Sequence, residues 1–232
     1  MRAQTKALAA ALAFTGLQPA AADSTALVDL EAAEYAIDSD NDGLPDDWET
    51  EGIVLHDGTE LALPDWGVDP NRPDLFLQLN WMEEHNGKSF APSAEALQDI
   101  VDLFDDHGIA LHIDAGETYS NIPNYTEFHG GETVAYSQHY FADQISGVRL
   151  LKDIETYLGD RSNAFRLGII GDQIDRADYT TGVALVGDSA FFVANSDQID
   201  SDEQLRNAIL HEFGHTLGPV SYTHLRAHET VL

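Results

Sequence analysis

The spacing of apolar residues predicts a strand–helix–strand unit in the first half of the chain. The nearly continuous apolar run from Leu75 to Trp81 is typical of a buried strand, and Ile109 to Asp114 is a second strand candidate. Between them, Pro92 and Ser93 open a predicted helix that runs to about His107. Its apolar face is formed by Leu97, Ile100, Val101 and Phe104. A helix between two such strands is typical of parallel neighbours joined by a right-handed crossover.

The second half of the chain combines one long polar stretch with several shorter apolar segments. The stretch from Gly116 to Tyr140 is rich in Gly, Asn and Tyr, and it is predicted to form a long surface excursion. The predicted elements after it are a helix over 144–158, a strand over 165–170, and two short strands over 182–186 and 190–194 joined by a turn at Gly187 and Asp188.

A final helix is predicted to begin at Ser201. Ser201 and Gln204 match the capping-box pattern, in which each residue bonds to the backbone of the other. Leu205, Ile209 and Phe213 recur at four-residue spacing as a core-facing stripe. The order of all these elements predicts an α/β (α+β) fold in which helices back a mixed, twisted sheet.

The first 22 residues have the pattern of a secretory signal peptide. Arg2 and Lys6 supply positive charge, a short apolar run follows, and the segment Ala20 to Ala22 offers the small residues that a signal peptidase needs. The alternative is a membrane-anchoring helix, but the run is too short to span a bilayer and is broken by Gly16 and Pro19. The protein is therefore expected to be secreted to an extracellular or periplasmic compartment.

The composition restricts both the partners and the means of stabilising the fold. The formal net charge is −30, and because such a polyanion repels nucleic acids and anionic membranes, neither is expected as a partner. The chain has no cysteine, which excludes disulfides and any latency mechanism in which a thiolate caps a metal. An exported protein without disulfides needs another cross-link, and calcium is a common choice outside the cell.

The final predicted helix carries the motif His211-Glu212-Phe213-Gly214-His215. Two histidines four residues apart project from one helical face, so both imidazoles can reach a single zinc ion. Glu212 is adjacent and can accept a proton from zinc-activated water and later pass it to the leaving amine. The motif therefore predicts His211 and His215 as zinc ligands and Glu212 as the catalytic base. The alternative is a helix whose histidines are ordinary surface or core residues.

The longer sequence from His211 to Gly218, His-Glu-Phe-Gly-His-Thr-Leu-Gly, resembles the metzincin signature. In that family a glycine after the second histidine breaks the helix, and the chain turns back to supply a third histidine. The region from Asp38 to Gly218 is also similar to a group of exported bacterial zinc metallopeptidases, which carry an acidic loop and two comparable strand segments before this helix. The resemblance implies a metzincin-like N-terminal subdomain that cleaves protein or peptide substrates.

The third ligand is where the chain departs from the family pattern. The pattern requires a histidine at position 221, and the chain has Ser221. From Val220 to Leu232 the sequence resembles the translation of a transposon adapter used to build sequencing libraries. Residues 220–232 are therefore expected to be a non-native tail, in which His224 and His228 are not metal ligands. The chain as it stands is expected to lack the third ligand and the methionine turn of the family, and to be inactive, unlike the intact gene product.

The segment from Asp38 to Glu49 matches the twelve-residue calcium-binding loop. The template expects side-chain oxygens at positions one, three, five, nine and twelve, a backbone carbonyl at position seven, and a sharp turn at the glycine of position six. The predicted calcium ligands are Asp38, Asp40, Asp42, Leu44, Asp46 and Glu49. The loop is similar to those of thrombospondin type 3-like repeats, and as a single loop it is interpreted as a structural clip. The alternative is a solvated acidic linker.

Three other residues are weaker candidates. His112 and Asp114 alternate on a predicted strand, so a supporting role behind the active helix, a calcium role and an ordinary polar strand face all stay open. His129 precedes two glycines and could be mistaken for part of a ligand turn, but it is interpreted as loop.

The predicted organisation is a signal peptide over 1–22, a lead-in with the calcium loop over 23–60, an incomplete metallopeptidase catalytic domain over 61–219 and the non-native tail over 220–232. The predicted function is a secreted zinc metalloendopeptidase that also binds calcium and holds an extended substrate near the edge strand at 182–186. One alternative is a non-catalytic, calcium-dependent matrix or adhesion module on a peptidase-like fold. The other is a zinc hydrolase of a different class, such as an amidase.

Overall fold

A mixed α/β fold was obtained in a computed structural model, which describes residues 37–142, 144–176 and 181–218. A short antiparallel pair comes first, β1 (Ile53–Val54) with β2 (Glu60–Leu61). The seven-stranded sheet that follows consists of β3 (Asp74–Met82), β4 (Ala110–Ala115), β5 (Tyr119–Ser120), β6 (Gly131–Val134), β7 (Phe165–Gly171), β8 (Gly182–Ala184) and β9 (Ala190–Ala194). Its strand order is β5-β4-β3-β7-β9-β8, with β6 paired to β3, so the predicted fold class is confirmed.

Helices accompany the sheet. The α-helices of the described residues are α1 (Asp46–Glu51), α2 (Ala94–Asp106), α3 (Ser146–Asp153) and α4 (Asp202–Thr216). A 3-10 turn covers Leu63–Trp66, and α3 continues through a π-helical turn, Ile154–Leu158, and a second 3-10 turn, Gly159–Asn163. None of the described helices is long and apolar enough to cross a membrane.

The predicted strand–helix–strand unit is confirmed as β3, α2 and β4. The two strands are parallel neighbours along the first half of β3, from Asp74 to Gln78. Helix α2 begins after Ser93, whose side-chain oxygen accepts a hydrogen bond from the backbone N–H of Ala96, because the first N–H groups of a helix have no partner within it. Three of the four predicted face residues, Leu97, Ile100 and Phe104, are buried in the core. Val101 packs against the core while half-buried. The handedness of the crossover stays a prediction.

The stretch from 116 to 140 is largely exposed, as predicted, but it is not a plain loop, because it contains strands β5 and β6. Its strand β6 pairs in parallel with the far half of β3, at Asn80 to Met82. The physical reason lies in β3, where the buried side chains of Gln78 and Asn80 need hydrogen-bond partners. Both amides donate to the carbonyl oxygen of His129, and Asn80 also donates to the Thr133 hydroxyl. The polar stretch therefore folds back onto the sheet to satisfy a polar core.

Helix α4, which carries the zinc motif, and the neighbouring strands β8 and β9 are present as predicted. Strands β8 and β9 are antiparallel, and Gly187 and Asp188 lie in the turn between them. Helix α4 is capped by the Ser201 side chain, which accepts from the Gln204 N–H. The Gln204 side chain accepts from the Asp200 N–H, one residue before the position that the capping box expects. Three buried side chains form the predicted core stripe: Leu205, Ile209 and Phe213.

Several predicted regions lie outside the described residues. They are the signal peptide over 1–22, the part of the lead-in that precedes Ile37, and the tail over 220–232 with Ser221.

Candidate metal sites

Helix α4 presents His211 and His215 on one face, as the four-residue spacing predicts. Their Nε2 atoms are 3.1 Å apart, and the two rings stand nearly perpendicular at 86°. Two nitrogen ligands of one tetrahedral zinc ion are ~3.3 Å apart, since each zinc–nitrogen bond is about 2.0–2.1 Å. The pair therefore has the spacing of two ligands on one zinc ion, and without a metal the same distance permits a hydrogen bond between the rings.

The protonation of this pair also suits metal binding. Partial burial, together with the neighbouring His211 ring, lowers the pKa of His215 below its ordinary value. A lowered pKa favours the neutral imidazole, which is the form that ligates metals.

Glu212 is buried beside the two histidines. Its side chain is only 7% exposed, and its Oε1 lies 4.0 Å from His211 Nε2. Burial disfavours the charged carboxylate and raises the pKa of Glu212 to about 7. A carboxyl group with such a pKa can both accept and return a proton near neutral pH.

The Glu212 side chain packs against the backbone of Gly182 in strand β8. A Cβ atom at position 182 would lie under 3.0 Å from Cγ, Cδ and Oε1 of Glu212, so a larger residue there would displace the carboxylate from its present position. The sequence analysis missed this contact. A glycine that opens a short strand was the available signal, because such glycines often mark a close approach of another group.

A groove of about 480 Å³ runs between β8 and α4. Its lining consists of Thr181, Gly182, Val183, Ala184, Val186, His211, Glu212 and His215. Strand β8 ends the strand order of the sheet, so in the described part of the chain no strand pairs with its outer edge. The two histidines and Glu212 therefore face a groove bordered by an edge strand with hydrogen-bonding capacity.

The end of α4 is fixed by a left-handed glycine and by the β8–β9 turn. The helix ends at Thr216, and Gly218 has a φ of 83°, a conformation that favours glycine. The prediction that Gly218 breaks the helix is confirmed. The Gly187 N–H of the turn donates to the His215 carbonyl at 3.0 Å, which ties the second histidine to the hairpin.

The acidic loop brings three predicted calcium ligands together. Asp38, Asp40 and Asp42 each place a carboxylate oxygen within 4.8 Å of the others. Asp38 accepts hydrogen bonds from the backbone N–H groups of Asn41 and Gly43, whose φ angles of 66° and 100° make the sharp turn. The Leu44 N–H donates to Asp42. The loop is therefore a folded structure with converging carboxylates.

A second group of carboxylates adjoins the first. Asp42, Glu49 and Asp74 also place one oxygen each within 4.8 Å of the others. Glu49 lies on α1 and is 1% exposed, while Asp74 opens β3 and is 2% exposed. Burial, together with the neighbouring carboxylates, raises the pKa of Glu49 to about 8 and that of Asp42 to about 6. Asp74 was not predicted, because it lies outside the loop template and only tertiary packing brings it there.

Two predicted ligands have other visible contacts. Asp46 belongs to neither acidic group. Its two oxygens accept hydrogen bonds from the backbone N–H and the hydroxyl of Ser39. The ligand at position nine often acts through a water molecule, so its role stays a prediction. Leu44 buries its side chain in the core, and its expected carbonyl ligand also stays a prediction.

Two of the weaker candidates, His112 and Asp114, are buried in the structure. His112 Nε2 lies 2.5 Å from Asp74 Oδ1, directly behind the second acidic group. Asp114 is fully buried and accepts from the Tyr125 hydroxyl and from the N–H groups of His129 and Gly130. Asp114 therefore anchors the stretch after β4, and His129 lies in a loop, as interpreted.

Comparison of the chain with known proteins gives no match to a family model or to a curated protein. The function is therefore inferred from the geometry of the two sites. They are built from different elements, since α4 and β8 form the histidine site whereas the acidic loop, α1 and the start of β3 form the carboxylate site. Each site can be tested without the other.

Proposed function

We propose that the protein is a zinc-dependent peptidase, with His211 and His215 as two of the zinc ligands and Glu212 as the general base. One observation carries the proposal. Two histidine Nε2 atoms 3.1 Å apart and a buried glutamate with a raised pKa face one groove beside an edge strand.

The donor set fits zinc. Zinc is bound in proteins by imidazole nitrogen, and catalytic sites use three protein ligands and leave one position open. Two of these ligands are His211 and His215, and the resemblance to metzincins puts the third at position 221, beyond the described residues. When bound there, zinc would supply Lewis-acid polarisation of the scissile carbonyl and would acidify the attacking water.

Glu212 supplies the proton chemistry in this proposal. Its carboxylate accepts a proton from the attacking water as the oxygen–carbon bond forms. It then gives that proton to the nitrogen of the leaving amine as the carbon–nitrogen bond breaks. A pKa of about 7 lets one carboxyl group perform both transfers near neutral pH.

Strand β8 supplies the substrate-binding edge. An extended peptide can add to an exposed sheet edge through main-chain hydrogen bonds, while pockets on either side select its side chains. Val183 and Ala184 of β8 line the groove, which favours apolar or small substrate side chains there. The bare backbone of Gly182 leaves space for Glu212 next to this edge.

Zinc affinity and hydrolysis test this proposal. Zinc affinity would be measured by competition with a chromophoric chelator for the chain as it stands, for its His211→Ala and His215→Ala variants, and for the intact gene product, in which the native sequence replaces residues 220–232. We expect weak binding to the chain as it stands, which either alanine substitution abolishes, and much tighter binding to the intact gene product. The intact gene product is expected to cleave unfolded casein.

Two results would favour the alternatives. Tight zinc binding by the intact gene product without cleavage of any protein or peptide would favour a non-catalytic module. Hydrolysis of small amides without peptide cleavage would favour a zinc hydrolase of another class. If zinc affinity were unchanged in His211→Ala and His215→Ala, the assignment of these histidines as zinc ligands would be wrong.

A further inference from the structure

The acidic loop and the start of β3 hold more negative charge than one calcium ion can neutralise. The carboxylates there are Asp38, Asp40, Asp42, Asp46, Glu49 and Asp74, six in all. Arg166 on β7 interacts electrostatically with Asp42, and His112 contacts Asp74. A single divalent cation would leave most of this charge uncompensated beside a buried part of the sheet.

The ligand oxygens form two groups that share Asp42. Oxygens within each group lie within 4.8 Å of one another. The two groups together contain five of the six carboxylates, and among the described residues no group at that spacing contains all five. Calcium–oxygen bonds are about 2.3–2.6 Å long, so two oxygens on one ion are at most ~5 Å apart. Each group is therefore small enough to surround one calcium ion. The two groups together are too large to bind a single ion.

Glu49 gives independent evidence that the second group binds a cation. Its side chain is 1% exposed, and neither carboxylate oxygen has a hydrogen-bond partner among the described residues. A buried carboxylate without a partner is strongly destabilising, so buried charges are normally paired or bound to metals. The neighbours that face Glu49 within the group, Asp42 and Asp74, are also acidic and cannot serve as a counter-charge.

We propose that the protein binds two calcium ions that share Asp42. The first is held by Asp38, Asp40 and Asp42 within the loop. The second is held by Asp42, Glu49 and Asp74. Ligands that consist only of carboxylate oxygens favour calcium over the transition metals. The second ion joins the acidic loop and α1 to the first residue of β3, whereas the first ion closes only the loop.

Asp74 is already oriented for this role. Its Oδ1 contacts His112 Nε2, its Oδ2 accepts from the Asp69 N–H, and its own N–H donates to Asp42 at 2.6 Å. Each carboxylate oxygen has more than one lone pair, so these bonds leave capacity for a cation. Hydrogen bonds of this kind orient metal ligands, which makes His112 a positioning residue for the second ion.

Calcium stoichiometry tests the proposal without zinc and without hydrolysis, so its outcome is independent of the proposed peptidase activity. The full chain would be studied by isothermal titration with calcium and by equilibrium dialysis. We expect two tightly bound ions per wild-type chain. Glu49→Gln and Asp74→Asn should each retain one ion, and Asp38→Asn should retain the other.

Asp47→Asn is the matched control, because Asp47 is exposed within the same segment and belongs to neither group. It removes the same charge and should leave two ions bound. Circular dichroism of each variant in calcium checks that it is folded, and Glu49→Gln still tests the second ion if Asp74→Asn does not fold. One ion in the wild-type chain would overturn the proposal. Two ions retained by a folded Glu49→Gln chain would also overturn it.

Discussion

The Glu212 side chain lies directly against the backbone of Gly182, with no space between them for a Cβ atom. The contact joins helix α4 to edge strand β8, which are distant in the chain but line one groove. The proposed base and the proposed substrate-binding edge are therefore held together by one contact.

Gly182→Ala is expected to impair hydrolysis without loss of zinc. In the intact gene product the added methyl group would displace the Glu212 carboxylate, and a misplacement of about 1 Å can cost roughly 10²-fold in rate. The measurements are peptide cleavage and bound zinc in the same sample.

Gly147→Ala is the matched control, since a Cβ there meets only the Leu185 side chain at an ordinary 3.6 Å. It should leave the rate unchanged. Full activity of Gly182→Ala would show that the contact does not position the base.

Phe213→Ala is expected to destabilise the helix that carries the zinc motif. Phe213 is fully buried, and its ring contacts those of Phe104 and Phe191 at centroid distances of 5.6 and 6.1 Å. Truncating a buried phenylalanine costs ~3–5 kcal/mol, which urea unfolding would measure. Phe128→Ala should cost much less, because Phe128 is 43% exposed. Equal losses for the two variants would contradict the described packing of α4.

Calcium is expected to raise the melting temperature through the acidic loop. Binding only to the folded state adds ~2.7 kcal/mol at a hundredfold excess of ligand over Kd. Asp42→Ala combined with Glu49→Ala should lower the melting temperature in calcium and reduce the calcium-dependent shift. Zinc content should stay near normal, because the histidine site is built from other elements. An equal calcium shift in wild type and in the double variant would mean that calcium binds elsewhere.

The pH dependence of the calcium-free protein should reflect the burial of Glu49. Burial and the nearby carboxylates raise its pKa from 4.5 to about 8 in the folded chain, so the folded state holds a proton that the unfolded state has lost. The free energy of unfolding in EDTA is therefore expected to fall as the pH rises from about 4.5 to about 8.

Glu49→Gln separates this charge effect from packing. The variant should be more stable than wild type in EDTA above about pH 8, since it buries no charge there. In saturating calcium the order should reverse, because the wild type gains a charged ligand with two oxygens, whereas the neutral amide offers only one carbonyl oxygen. The same order of stability in EDTA and in calcium would contradict the assignment of Glu49 as a calcium ligand.

Local patterns were sufficient to predict helices α2, α3 and α4 and five of the seven strands of the sheet, but not the short helix α1. In α2, the repeat of Leu97, Ile100 and Phe104 fixed the buried face, because one helical face meets the core once per turn. Strand β6 was missed since only Gly131 and Val134 of its four residues are buried, so no alternation marks it. Its position follows from the polar side chains of β3, which a local pattern does not encode.

The candidate sites divide in the same way. The spacing of His211, Glu212 and His215 is local, and a helix alone brings these residues together. The contacts of Gly182 with Glu212 and of Asp42 with Asp74 join residues that are distant in the chain, so only the packed sheet brings them together. The candidate ligands within the loop could be predicted from the sequence, whereas Asp74 of β3, which completes the second acidic group, could not.

The central claim is that Glu212 acts as the general base on a zinc ion held by His211 and His215. The most direct measurement is the rate of peptide cleavage per bound zinc in the intact gene product, compared with the same protein carrying Glu212→Gln. An amide cannot take the proton of the attacking water, so the rate per zinc should fall by at least roughly 10²-fold while zinc content is unchanged. Glu203→Gln, at an exposed glutamate in the first turn of the same helix, should cleave at the parent rate. A zinc-loaded Glu212→Gln chain that cleaves peptides at the parent rate would contradict the claim.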